Sequence, residues 1–154
     1  QDASYRFALG NLYLELVNVM DQAGILAENN LFTAISLDPN NPVYRLTLGS
    51  LYLRLKRFDL AQRQFELAIT IDPNYLNAYY NLYYVQRQQS LFKQALDTLT
   101  LIKNSLPQTD SQYKQIEKEW KDFDGFVAES TKSAELKENL PPSGLATLSA
   151  ELKK

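Results

Sequence analysis

The chain has 154 residues, 45% of them hydrophobic and 22% charged, with a net charge of −2. That is enough apolar content for one core or a short repeat array, and the balanced charge speaks against the basic face of a nucleic-acid-binding protein. There is no cysteine and no histidine, which excludes zinc fingers, thiol catalysis, Ser-His-Asp triads and imidazole base chemistry within the chain.

Residues 1–2 read as an N-terminal flank. The chain begins at Gln1 rather than Met, so an upstream segment removed by processing or by cloning is expected. A signal or anchor in it would decide between a cytoplasmic and an exported setting, and localisation stays open. No stretch approaches the ~20 apolar residues that span a bilayer, so direct membrane insertion of this segment is not expected. A first helix is predicted over Ser4–Met20, "SYRFALGNLYLELVNVM", whose only charges are Arg6 and Glu15. Its apolar residues spread round most of the cylinder, and such a helix expects burial on most sides.

From Pro42 the chain reads as two helices and a stop: "VYRLTLGSLYLRL", "FDLAQRQFELAIT", then "IDPN". Leu48, Leu51, Tyr52 and Leu55 recur at three- and four-residue steps, as do Ala61, Phe65 and Ala68, which marks helices with one buried face. Pro73 lacks an N–H and ends the second helix. A slide of 34 residues aligns Ala61 with Ala95, Phe58 with Phe92 and Pro73 with Pro107. The reverse slide aligns Ala61 with Ala27, Ala68 with Ala34, Phe65 with Leu31 and Pro73 with Pro39. "YRFALGNLYLEL" at Tyr5–Leu16 instead matches "YRLTLGSLYLRL" at Tyr44–Leu55 after 39 residues, so the first unit carries about five extra residues near "VNVMDQAG".

A 34-residue period with Leu48, Gly49, Tyr52, Ala61, Phe65, Ala68 and Pro73 in these slots resembles the tetratricopeptide repeat, W-x2-L-G-x2-Y…A-x3-F…P. Arg45 stands where the large aromatic is usual, with Tyr44 beside it; in the third unit Tyr79, Leu82, Ala95 and Pro107 match, but Tyr83 occupies a small-residue slot. The resemblance implies an all-α, right-handed helical-hairpin solenoid. Its expected units are repeat 1 at 3–41, repeat 2 at 42–75 and repeat 3 at 76–109. Small residues let the helices of a unit approach, large ones fill the space between units, and stacking covers what one unit cannot.

Residues 110–125 are predicted to form a capping helix, with Thr109, Asp110 or Ser111 able to cap its start and Tyr113, Ile116, Trp120 and Phe123 as its apolar stripe. Residues 126–154 read as a polar helical extension up to about Asn139, a break at Pro141, and an amphipathic tail carrying Leu145, Leu148 and Leu152. "DFDG" at Asp122–Gly125 resembles part of a calcium loop, but with Gly125 in the glycine slot the first and last ligand positions fall on Trp120 and Thr131, so no metal is expected. There is no glycine-rich phosphate loop, hence no nucleotide cofactor and no enzyme is expected.

In the family the first helix of each unit lines the concave side. The resemblance therefore implies a groove of Phe7, Asn11, Leu14 and Glu15, then Leu46, Ser50, Leu53 and Arg54, then Asn77, Tyr80, Asn81, Tyr84, Arg87 and Gln88. Aromatics and amides suit a peptide or protein ligand. Chaperone-binding members clamp a terminal carboxylate with lysines, asparagines and an arginine. The matching slots here hold Phe7, Asn11, Thr47, Asn77 and Asn81, of which only Asn11 fits, so a carboxylate-clamp partner is not expected. The leading expectation is a non-catalytic interaction scaffold. A second is a subunit that associates with other copies of itself head to tail into a filament, through Leu12 and Leu16 at one end and Leu145, Leu148 and Leu152 at the other. A third is the soluble domain of a membrane-anchored assembly factor or polysaccharide enzyme.

Overall fold

A computed structural model describes the backbone of residues 2–138 and the side chains of residues 2–134. The described residues form seven helices and no strand: α1 (Ala3–Glu15), α2 (Ala23–Leu37), α3 (Pro42–Arg54), α4 (Phe58–Ile71), α5 (Leu76–Gln88), α6 (Phe92–Ser105) and α7 (Tyr113–Glu138). They fall into two compact units, 1–106 and 107–154. The first is a stack of three helix hairpins, α1–α2, α3–α4 and α5–α6, in which each hairpin packs on the next. The Leu145, Leu148 and Leu152 of the tail lie outside the described residues.

The turns between hairpins follow from local chemistry. After α2, Asn41 caps α3 by accepting from the Val43 N–H at 3.1 Å, and Pro42 opens the helix where a missing N–H costs nothing. After α4, Asp72 accepts from the Asn74 N–H at 3.0 Å, a side-chain turn that Pro73 reinforces.

Within each hairpin the turn repeats as well. Gln22, Lys56 and Ser90, spaced 34 residues apart, are the positive-φ residues among those described, and none is glycine. After α3 the Arg57 N–H reaches the Tyr52 carbonyl at 2.8 Å and the Lys56 N–H reaches that of Leu53 at 3.0 Å. After α5, Leu91 and Ser90 repeat these bonds to Gln86 and Arg87. Both are Schellman turns that satisfy the last carbonyls of a helix. Leu55 and Lys56 are neighbours, whereas residues 17–21 separate their counterparts Leu16 and Gln22. This insert ends the first helix at Glu15, not at Met20 as the apolar run predicted. Val17 and Val19 are β-branched and favour the helix less, and the backbone tightens into three-residue turns from Leu16 onward.

The core runs through the stack. Leu31, Leu48, Leu51, Phe65, Val85, Leu99 and Ile102 are fully buried, each a gain of about 1.5–3 kcal/mol relative to exposure. Two glycines set the spacing within hairpins. A Cβ on Gly49 would meet the Phe65 ring at 2.4 Å, and one on Gly10 would meet Leu31 Cγ at 2.7 Å. The third hairpin has Tyr83 and Leu99 in these two slots, both buried.

Arg45, in place of the usual aromatic, donates from Nη1 to Gln64 Oε1 at 3.3 Å, and its counterpart Arg6 donates to Asn30 Oδ1 at 3.2 Å. A polar bridge between the helices of a hairpin thus stands where other repeats use an indole. In the third hairpin Tyr79 and Thr98 take these slots, and Thr98 donates to Gln86 at 2.8 Å.

In the second unit α7 is one continuous helix. Ile116 and Phe123 are buried, Tyr113 and Trp120 half-buried, and Phe123 stacks on Phe126 at 6.0 Å. Asp122–Gly125 lies inside this helix, where backbone carbonyls are committed to helical bonds and no calcium loop can form.

Candidate protein-binding groove

The side of the stack that curves inward follows from which helices touch. α1 contacts α3 and α3 contacts α5, whereas α2, α4 and α6 make no comparable contacts among themselves. The first helices therefore crowd together on the inner side, and their outward-pointing residues line it.

In α1, Phe7 is half-buried and lies against Tyr44 with ring centroids 4.7 Å apart and planes tilted by 37°. Asn11 is half-buried and Glu15 exposed. Leu14, expected in the groove, is 6% exposed and belongs to the core. Its place on the helix turns its side chain toward α2 and α3, and only its carbonyl remains in reach.

In α3, Leu46 and Leu53 are half-buried with their inner sides on the core, and Ser50 donates to the Leu46 carbonyl at 3.0 Å. Arg54 bridges α3 and α1. Its Nη1 donates to the Leu14 carbonyl at 3.0 Å and its Nη2 pairs with Glu15 Oε1 at 3.0 Å. The sequence alone presents Arg54 as a free groove cation. The structure pairs it with Glu15, and only the stacking of two units reveals a partner 39 residues away.

In α5, Asn77 is exposed and Asn81 donates back to its carbonyl at 2.7 Å. Tyr80 is half-buried and Tyr84 52% exposed. Arg87 lies 5.4 Å over the Tyr83 ring and donates to the Tyr83 hydroxyl at 3.1 Å, a cation–π contact that also orients the guanidinium. Gln88 is exposed. The inner surface is therefore aromatic and amide-rich.

Tyr52 has a strongly displaced proton affinity. Burial raises its phenol well above the ordinary 10.0, and the hydrogen bond to Glu28 at 2.6 Å and that carboxylate's charge raise it further, while Arg57 acts in the opposite sense. This tyrosine seals the α2–α3 contact and does not face the groove.

No protein-family model matches the chain. It is 33% identical over 72 residues to small glutamine-rich tetratricopeptide repeat-containing protein 2 of Saccharomyces cerevisiae, a match over 47% of this chain. The chain spans about a fifth of that relative's length, 21%. Among solved structures it is similar to the first TPR of Spaghetti (RPAP3) bound to the HSP90 peptide SRMEEVD, with a TM-score of 0.66, 21% identity, and coverage of 83% of this chain and 97% of that one. It is also similar to the Sgt2 TPR domain from Aspergillus fumigatus, with a TM-score of 0.67, 18% identity, and coverage of 91% and 85%. The class is thereby defined as an all-helical solenoid of helix hairpins. In particular, this chain has the tetratricopeptide-repeat fold.

Proposed function

We propose that the chain is a non-catalytic interaction scaffold whose inner surface holds an extended or helical peptide of a partner protein, without a carboxylate clamp. One observation carries this reading. The inner faces of α1, α3 and α5 present amides and tyrosines, and Arg54 on α3 is paired with Glu15 of α1. Amides can pair with a peptide backbone, and Tyr80 and Tyr84 offer broad contact at small entropic cost. A structural neighbour holds the HSP90 peptide SRMEEVD, which supports peptide binding as a use of this fold. In this chain the acidic end of such a peptide would meet Phe7, Asn11, Thr47, Asn77 and Asn81, of which only Asn11 fits a clamp.

Selection of a random peptide library on the immobilised chain tests the proposal. Enriched peptides should keep their affinity when the C-terminus is amidated, and the pair Asn81→Ala and Tyr84→Ala should weaken them at least about tenfold, or ~1.4 kcal/mol. A tenfold loss on amidation would reinstate a clamp. Indifference to the two substitutions would move the site off the inner surface.

End-to-end self-assembly is the weaker reading. Leu12 is exposed and Leu16 half-buried at the α1 end, but the other half of that contact, Leu145, Leu148 and Leu152, lies outside the described residues.

A further inference from the structure

The 39- and 34-residue offsets between α1, α3 and α5 place Phe7, Leu46 and Tyr80 in one slot of three successive inner helices, and Asn11, Ser50 and Tyr84 in the slot one turn later. The hairpins stack in the same way, so equivalent slots fall in line across the groove. The first line is apolar. Its three residues are half-buried, and Phe7 and Leu46 rest on the core. The second line is polar and carries an amide, a hydroxyl and a phenol. Neither line holds a charged side chain.

The spacing of the apolar line selects a ligand. α1 touches α3 and α3 touches α5, so the anchors recur at about 8–10 Å, the separation of packed helix axes. The ligand has to present an apolar group to one face at that interval. A β-strand returns to one face about every 6.6 Å, and its third residue points away. An α-helix returns about every 5.4 Å, so each second turn falls between anchors. A polyproline II helix has three residues per turn, and every third side chain returns to one face after about 9.3 Å.

We propose, resting on the groove reading above, that the ligand is an uncharged proline-rich segment in polyproline II form, with an apolar side chain at every third position seated on Phe7, Leu46 and Tyr80. Proline holds that conformation before binding, which lowers the ordering cost. It has no N–H, so the segment shows carbonyl oxygens. Ser50 is committed to the Leu46 carbonyl, which leaves the Asn11 amide and the Tyr84 hydroxyl as the donors of the second line. The charge complementarity is that of neutral surfaces, since a charged ligand side chain would lose hydration on these lines without a counter-ion.

The probes are labelled peptides titrated with the full chain by fluorescence anisotropy. One is four repeats of Leu-Pro-Pro. A second keeps that composition but sets the leucines alternately two and four residues apart. A third is four repeats of Leu-Ala-Ala. The first should bind, and the other two should bind at least about tenfold more weakly. Tyr80→Ala should weaken the first by about tenfold. Tyr84→Phe keeps an exposed ring and the fold and should weaken it about threefold, through one lost donor. Indifference to both substitutions would move the peptide off these lines and overturn the proposal. Equal affinity for the reordered peptide would overturn the three-residue register, and equal affinity for Leu-Ala-Ala would overturn the polyproline form. No binding of Leu-Pro-Pro at about 1 mM, beside library peptides that depend on Asn81 and Tyr84, would overturn this inference and leave the groove reading standing. Library peptides indifferent to Asn81 and Tyr84 would remove both.

Discussion

The second and third hairpins close the same gap in opposite ways. In the second, Gly49 yields its space to the Phe65 ring, which leaves no room for even a methyl group. In the third, the bulk sits on the first helix as Tyr83, and the second helix supplies the smaller Leu99. The polar contacts differ too. Tyr52 reaches back to Glu28 in the preceding hairpin, whereas the residue in its slot, Gln86, accepts from Thr98 of its own. What the two hairpins share is a gap closed by one large ring and the satisfaction of buried polar atoms, and which helix provides them is free to change.

The largest effect should come from breaking the volume trade. Tyr83→Ala removes a buried ring and should cost about 3 kcal/mol in denaturant unfolding, while Gly49→Ala, the opposite change in volume, should cost about 1–3 kcal/mol by overpacking. The double change Tyr83→Gly with Leu99→Phe rebuilds the second hairpin's solution in the third. It should cost clearly less than the sum of its two single changes; additivity would mean that the two slots do not share one space.

A smaller effect separates the polar contacts. Tyr52→Phe should cost about 1–2 kcal/mol at neutral pH, because it removes a hydrogen bond to a carboxylate. The folded state holds the Tyr52 phenol above its ordinary 10.0, so the unfolded chain ionises first. The stability this supplies is complete below pH 10 and falls as pH rises beyond it. Stability measured from pH 8 to pH 11 should therefore decline less in Tyr52→Phe than in the parent. An equal decline would place the alkaline sensitivity elsewhere.

The smallest effect should be a gain common to both hairpins. Lys56 and Ser90 hold left-handed backbone that costs an L-residue about 1–2 kcal/mol. After the entropy that glycine loses on folding is subtracted, Lys56→Gly and Ser90→Gly should each stabilise by roughly 0.5–1 kcal/mol. A gain at one turn and a loss at the other would show that the two turns, alike in backbone, differ in side-chain contacts.

Much of the fold was legible before any coordinates. The 34-residue spacing of Ala27, Ala61 and Ala95 and of Pro39, Pro73 and Pro107 placed the helix pairs, because close helix contact needs small residues and a turn needs a residue that cannot continue a helix. The left-handed turns at Gln22, Lys56 and Ser90 carry the same period but no glycine, so nothing in their chemistry announced them. The groove was legible only as a set of slots. Sequence could not show that Leu14 turns inward or that Arg54 is held by Glu15, since both depend on how one hairpin rotates against the next.

The twin segments at Tyr5 and Tyr44 mark where sequence stops and tertiary structure begins. Sequence by itself determined that both are helices with the same apolar side, because helical period and side-chain size are local properties. Only the tertiary structure decided that Leu51 is buried and Leu12 is not. Burial belongs to the neighbour as much as to the residue, and α3 has a hairpin in front of it where α1, among the described residues, has none.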